Sequence, residues 1–174
     1  AKLSPSTGIS AWKLATLVAL KDAEHVTFRG FSFESTVRQA VTIDGGRDCL
    51  IAAGAIRTCG QGVQIKGGEY HGVVGCDFVD VGRYHLVLDG GTASPTEITP
   101  ARHYAENNHF RQERHAGDRA VRIRGVGNVF RHNLIHDFPG EAIVHSGNDH
   151  LLEFNEIHRV KIEEGDGGAT YCGA

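Results

Sequence analysis

Asp166 stands in Gly165-Asp166-Gly167-Gly168, where glycines on both sides let the backbone carry one carboxylate up to a strand edge. Glu163 and Glu164 precede it, and earlier corners hold Glu141 and the run Glu113-Arg114-His115-Ala116-Gly117-Asp118-Arg119. Carboxylates gathered along an open groove suit glycosidic chemistry. There one carboxyl protonates the leaving oxygen while another stabilises or attacks the sugar cation. The plainer use of the same cluster is a solvated corner, or a Ca²⁺ ion held through oxygen ligands. That plainer reading is expected of Glu163 and Glu164, whereas Asp166 ranks above them because of its glycines. Arg119, Arg122 and Arg124 add cations beside the carboxylates, and in a lyase an arginine can serve as the base.

Histidines supply a second candidate chemistry. Asn133-Leu134-Ile135-His136 and Asn155-Glu156-Ile157-His158 repeat one pattern, and each His falls one position beyond an inward apolar residue. His136 and His158 are therefore expected to point outward and stack, with a metal pair or an acid/base role as the sharper alternative. His132 and His150 read the same way. His145 takes an inward strand position one coil below Tyr171, and a hydrogen-bonded core histidine is expected there. Cys49, Cys59, Cys76 and Cys172 match neither a zinc motif nor a disulfide framework and are expected to be small buried residues. No cofactor and no metal are expected, Ca²⁺ being left open.

What positions these residues is a repeat. On the template of Asn133 and Asn155 the equivalent positions are Phe31, Gly54, Cys76 and Asn108. Two residues after each comes Phe33, Ile56, Phe78, Phe110, Ile135 or Ile157, and three residues before comes Phe28, Ile51, Val73, Ala105, Phe130 or Leu152. A further strand precedes each repeat, with alternating pairs Val18/Leu20, Val41/Ile43, Val63/Ile65, Leu86/Leu88, Val121/Ile123, Ile143/His145 and an incomplete Ala169/Tyr171. Alternation of period two means one face in and one face out.

Short strands joined by Gly-rich corners, without a Leu-x-x-Leu-x-Leu frame, fit an all-β right-handed parallel β-helix of about six coils, about 22 residues per coil. The coils are expected at 13–39, 40–61, 62–84, 85–119, 120–141 and 142–168, with 169–174 opening another, in a single domain over 1–174. Stacking places equivalent residues about 4.8 Å apart, so Asn133 and Asn155 should share an inward corner as an amide ladder.

Composition narrows the partners. The formal net charge of −3 argues against a nucleic-acid binder, and no run approaches the roughly 18 apolar residues of a membrane span. With no Met and an end at Gly173-Ala174, the chain reads as a fragment of a longer one.

Departures from the period mark the candidate site, because loops on a rigid scaffold carry function. Gly90 to Pro100 is an insertion, and the corners after Asn108 and Asn155 are longer than the others. The two long corners lie two coils apart and should flank a groove floored by Pro139-Gly140-Glu141. Its expected lining is Glu113, His115, Asp118, Glu141, Glu163, Glu164 and Asp166, with Arg119, Arg122 and Arg124 on the adjoining strand face.

Several motifs in register resemble a family of bacterial right-handed β-helix proteins related to glycoside hydrolases. They are Ala120 to Asn128, His132-Asn133-Leu134-Ile135-His136-Asp137, Gly147-Asn148-Asp149-His150, Glu153 to His158, and Asp166-Gly167-Gly168-Ala169-Thr170-Tyr171. Gly45 to Cys49 and Gly90 to Ala101 fit the pattern too, so the likeness covers most of the chain. The resemblance implies secreted or periplasmic enzymes acting on plant or algal polysaccharides, with Asp166 as the catalytic carboxylate. Glu141, His115, Asp118, Arg122, Arg124, Glu164 and Tyr171 would then bind the polysaccharide or oligosaccharide. It also implies a continuation in Gly-Arg-Asp and a second acidic motif about two coils on. The expected partners therefore include the missing C-terminal coils of the parent chain, without which the fragment should not cleave. A polysaccharide lyase and a non-catalytic carbohydrate-binding or structural β-helix are the alternatives.

Overall fold

The computed structural model describes residues 13–113, 119–163 and 167–173. Within them the chain is all-β and winds as a right-handed parallel β-helix of about six turns. Three parallel sheets run along it. Sheet I holds Val18–Lys21, Gln39–Asp44, Gln61–Lys66, Leu86–Gly90, Val121–Gly125, Ile143–His145 and Thr170–Cys172. Sheet II holds Thr27–Arg29, Leu50–Ala52, Gly72–Val74, Tyr104–Glu106, Val129–Arg131 and Leu151–Glu153. Sheet III holds Ser32–Glu34, Ala55–Arg57, Asp77–Val79, His109–Arg111, Leu134–Phe138 and Glu156–Val160.

The apolar columns of the sequence are the inward ladders. Phe28, Ile51, Val73, Ala105, Phe130 and Leu152 stand in register in sheet II. Phe33, Ile56, Phe78, Phe110, Ile135 and Ile157 do so in sheet III. Between coils Phe78 and Phe110 stack at 4.7 Å, so a like residue on a like position fills the interior without voids.

At the bend between sheets II and III the chain passes through a left-handed residue in every coil: Gly30, Ala53, Gly75, Asn107, His132 and Phe154. For the non-glycines this conformation costs about 1–2 kcal/mol each. It is held because backbone amides bond across coils, as Ala53 N–H does to the Val74 carbonyl at 2.9 Å. The next residue carries the expected amide ladder. Asn108 Nδ2 donates to Asn133 Oδ1 at 3.0 Å, and Asn133 Nδ2 to Asn155 Oδ1 at 3.1 Å. Each Oδ1 also accepts the backbone N–H one coil back, from Cys76, Asn108 and Asn133.

A second polar ladder, absent from the sequence expectations, lines the corner entering sheet II. His71 Nδ1 accepts Cys49 N–H at 3.1 Å, His103 Nδ1 accepts His71 N–H, Asn128 Oδ1 accepts His103 N–H, and His150 Nδ1 accepts Asn128 N–H. His150 is thus a corner acceptor and not an exposed stacked histidine. The rings fill space that the glycine corners leave. A Cβ on Gly68 would lie 2.6 Å from His71 Nε2, and one on Gly90 2.4 Å from His103 Nε2. Burial lowers the pKa of His71 and takes that of His103 down to about 3, so the ladder is built from neutral imidazoles.

Two further expectations are corrected. In the last strand Thr170 and Cys172, not Ala169 and Tyr171, pair with Ile143 and His145, so Tyr171 sits opposite Val144 on the outward face. Ala169 belongs one position earlier, in a column where Ala40, Gly62, Ala120 and Ala142 are small and Leu17 and His85 are the large side chains. Cys49, Cys59 and Cys76 are buried thiols, but Cys172 is exposed. The insertion after Gly90 folds as an antiparallel hairpin, Thr92–Ala93 with Ile98–Thr99, at the corner between sheets I and II.

Candidate functional site

The outward face of sheet I carries two rows across the coils. One reads Thr42, Gln64, Val87, Arg122, Val144, Tyr171; the other begins Asp44, Lys66, Asp89, Arg124. In the second row Arg124 Nη2 donates to Asp89 Oδ2 at 2.6 Å. Arg122 differs. Among the described residues it has no carboxylate partner, and its guanidinium lies over the ring of Tyr84 at 5.1 Å.

Where this face meets the corner after sheet III it hollows into a cleft of about 440 Å³. Five of the residues expected from the sequence line it, Arg119, Arg122, Arg124, Glu141 and Tyr171, together with Tyr84, His145, Ser146 and Gly167. Tyr171 reaches it because the register turns its ring outward. His145, expected in the core, is half-buried at the cleft.

Glu141 is at the floor, as expected of its corner, but it is not an open acidic ligand. Its carboxylate is 8% exposed, accepts from Arg119 Nε at 2.8 Å and lies 3.6 Å from Lys161 Nζ. Burial alone would push this carboxyl up. The Arg119 hydrogen bond and the two cations overcome burial and hold it below the ordinary value, so it is an anion wherever the fold is intact. Arg119 is correspondingly raised by its hydrogen bond to Glu141 and by a second one with Tyr84.

Asp166, His115, Asp118 and Glu164 lie outside the described residues. Gly167, the neighbour of Asp166, lies beside the floor of the cleft, where a Cβ on it would stand 3.5 Å from both Glu141 Oε1 and Lys161 Nζ. Glu113 and Glu163 are exposed and do not line the cleft; Glu113 pairs with Arg111, and its N–H donates to Asp80 Oδ1 at 2.7 Å. The described part of the wall is therefore basic and aromatic, where the sequence suggested acidic. Tyr84 escaped notice because only stacking against Arg122 brings it to the site.

On sheet III, His136 and His158 stack outward as expected, their rings 5.0 Å apart and 2° from parallel. His109, unremarked in the sequence, joins them: its Nε2 is 2.7 Å from His136 Nε2. His132 stacks on Phe154 at 5.1 Å.

The fold and cleft together define a right-handed parallel β-helix with a basic and aromatic cleft on its longest sheet. Compared with protein-family models, curated proteins and solved structures, the chain matches none.

Proposed function

We propose that this chain belongs to a secreted or periplasmic carbohydrate-active β-helix protein whose sheet I cleft binds a polysaccharide, with glycoside hydrolysis centred on Asp166. One observation carries the reading: Arg122, Arg124, Glu141 and Tyr171, drawn from three successive coils, line a single cleft beside Gly167, the neighbour of Asp166. Tyr171 offers an aromatic edge to a sugar ring, and the arginines offer donors to hydroxyl or acid oxygens. Glu141, held anionic by Arg119 and Lys161, positions the wall and does not donate a proton. Hydrolysis needs a second carboxyl across the scissile bond, roughly 5–5.5 Å from the first for retention and 6.5–9.5 Å for inversion. That group would come from outside the described residues.

Reducing-end release from a panel of plant and algal polysaccharides, with Asp166→Asn as the near-isosteric control, tests the reading. Loss of several orders of magnitude in the variant of an active protein supports it. An active protein with an unimpaired variant refutes the assignment of Asp166. Arg122, without a carboxylate partner among the described residues, favours a polysaccharide lyase as the second reading, recognised by an unsaturated, ultraviolet-absorbing product that Arg122→Ala abolishes.

A further inference from the structure

We propose that His109 and His136 form a surface site for one divalent transition-metal ion, with Zn²⁺ and Cu²⁺ the class their imidazoles select. The two residues belong to neighbouring coils on the outward face of sheet III, His109 opposite Leu134 and His136 opposite Arg111. Their rings lean across the diagonal until Nε2 faces Nε2 at 2.7 Å.

The other nitrogen of each ring is engaged by a carboxylate. His109 Nδ1 is 3.2 Å from Asp77 Oδ1, and His136 Nδ1 is 2.6 Å from Asp137 Oδ2. Asp137 is in turn held by Arg159, whose Nη2 donates to Oδ2 at 2.9 Å. A carboxylate in these places accepts a hydrogen bond from each Nδ1–H and so favours the tautomer whose Nε2 carries the lone pair. Metal-ligating histidines are oriented and made more basic in this way. His158 lies flat on the other side of His136 and limits its swing.

Two lone pairs repel at hydrogen-bond distance, so without a metal a hydrogen atom lies between them as Nε2–H···Nε2. A metal ion takes its place after a small opening, since Zn–N bonds of about 2.0–2.1 Å set two tetrahedral nitrogens roughly 3.3 Å apart. The rings have room for it, the side chain of His109 being 33% exposed and that of His136 15%. Among the described residues no third His, Cys, Asp or Glu converges on the pair, so the ion keeps positions for water or an exogenous ligand.

Calorimetric titration with Zn²⁺ is expected to reveal one saturable site that His109→Gln and His136→Gln each weaken at least tenfold. Asp77→Asn, whose carboxylate does not touch the ion, is expected to weaken it about tenfold. His25→Gln, on a separate exposed histidine, is expected to leave it unchanged. Electron paramagnetic resonance with Cu²⁺ is expected to show two coupled nitrogens in the unaltered chain and one in either histidine variant. Unchanged affinity in both histidine variants, or no saturable uptake of either ion at millimolar concentration, overturns the proposal. Should a histidine variant fail to fold by circular dichroism, the Cu²⁺ spectrum of the unaltered chain decides, and fewer than two coupled nitrogens overturns it.

Discussion

Replacing Asn133 by Leu strikes the amide ladder at its middle rung. Asn133 is 2% exposed. Its Oδ1 accepts Asn108 N–H at 2.9 Å, and its Nδ2 donates to the Ala105 carbonyl at 3.0 Å. Leucine is close in size and offers neither partner, so two buried backbone groups lose their side-chain bonds at about 1–3 kcal/mol each. Added apolar burial returns on the order of 1 kcal/mol. The net loss is about 3 kcal/mol, and a chain of this length should melt roughly 6–12 °C lower. Asn148→Ala removes an exposed amide and is expected to stay within about 0.5 kcal/mol. Thermal melts followed by circular dichroism separate the two. Because Asn108 and Asn133 share one network, Asn108→Leu combined with Asn133→Leu should also depart from additivity by about 0.5–3 kcal/mol. A shift for Asn133→Leu no larger than that for Asn148→Ala, or strict additivity in the pair, would refute the argument.

Acid should destabilise the fold. His85 and His103 are held by burial near a pKa of about 3, so below about pH 6.5 the unfolded chain takes up protons that the folded one does not. Stability is full above about pH 6.5 and falls as pH drops toward 3, by up to roughly 5 kcal/mol per histidine. Urea midpoints across that range should show the slope, and His103→Asn, which copies Asn128 in the same column, should flatten it. Glu141→Gln leaves Arg119 and Lys161 facing each other over a nearly buried amide and should lower stability by about 3 kcal/mol, read as a urea midpoint at pH 7. Gly68→Ala forces a Cβ to within 2.5 Å of the Gly46 carbonyl at a φ of +69°, and a melt should show a drop of at least about 2 kcal/mol. Arg122→Ala should leave the melt within about 0.5 kcal/mol while weakening oligosaccharide binding measured by calorimetry.

The coil was legible because stacking puts the same demand on the same position in each turn, and Phe78, Phe110 and Ile135 answer it with side chains that have few other uses. The second ladder was equally periodic, five residues ahead of the first at Cys49, His71, His103, Asn128 and His150, but its mixed chemistry hid it. Histidine and asparagine serve there as one thing, an acceptor for the amide one coil back. The last strand was misplaced by one residue because alternation alone does not fix register after a long corner. The Ala column, continued by Ala169, held the missing information. The basic cleft was harder to foresee. Arg122 and Arg124 look alike in sequence, and only the neighbouring strand, which gives Arg124 an aspartate and Arg122 a tyrosine face, makes them different.

The bend between sheets II and III has a consequence for how this molecule can vary. From Phe28 to Phe33, Ile51 to Ile56, Val73 to Phe78, Ala105 to Phe110, Phe130 to Ile135 and Leu152 to Ile157 the step never changes, while the other two vertices of the triangle stretch freely. At the vertex that borders the cleft the longest segments are Phe110 to Val121 and Ile157 to Thr170, while at the other the hairpin insertion lengthens Leu88 to Ala105. One vertex is thus rigid and two are elastic. Insertions at the elastic vertices can raise or reshape the cleft walls residue by residue without altering the pitch. A single insertion at the rigid one would swing an asparagine out of its stack and turn the following strand inside out.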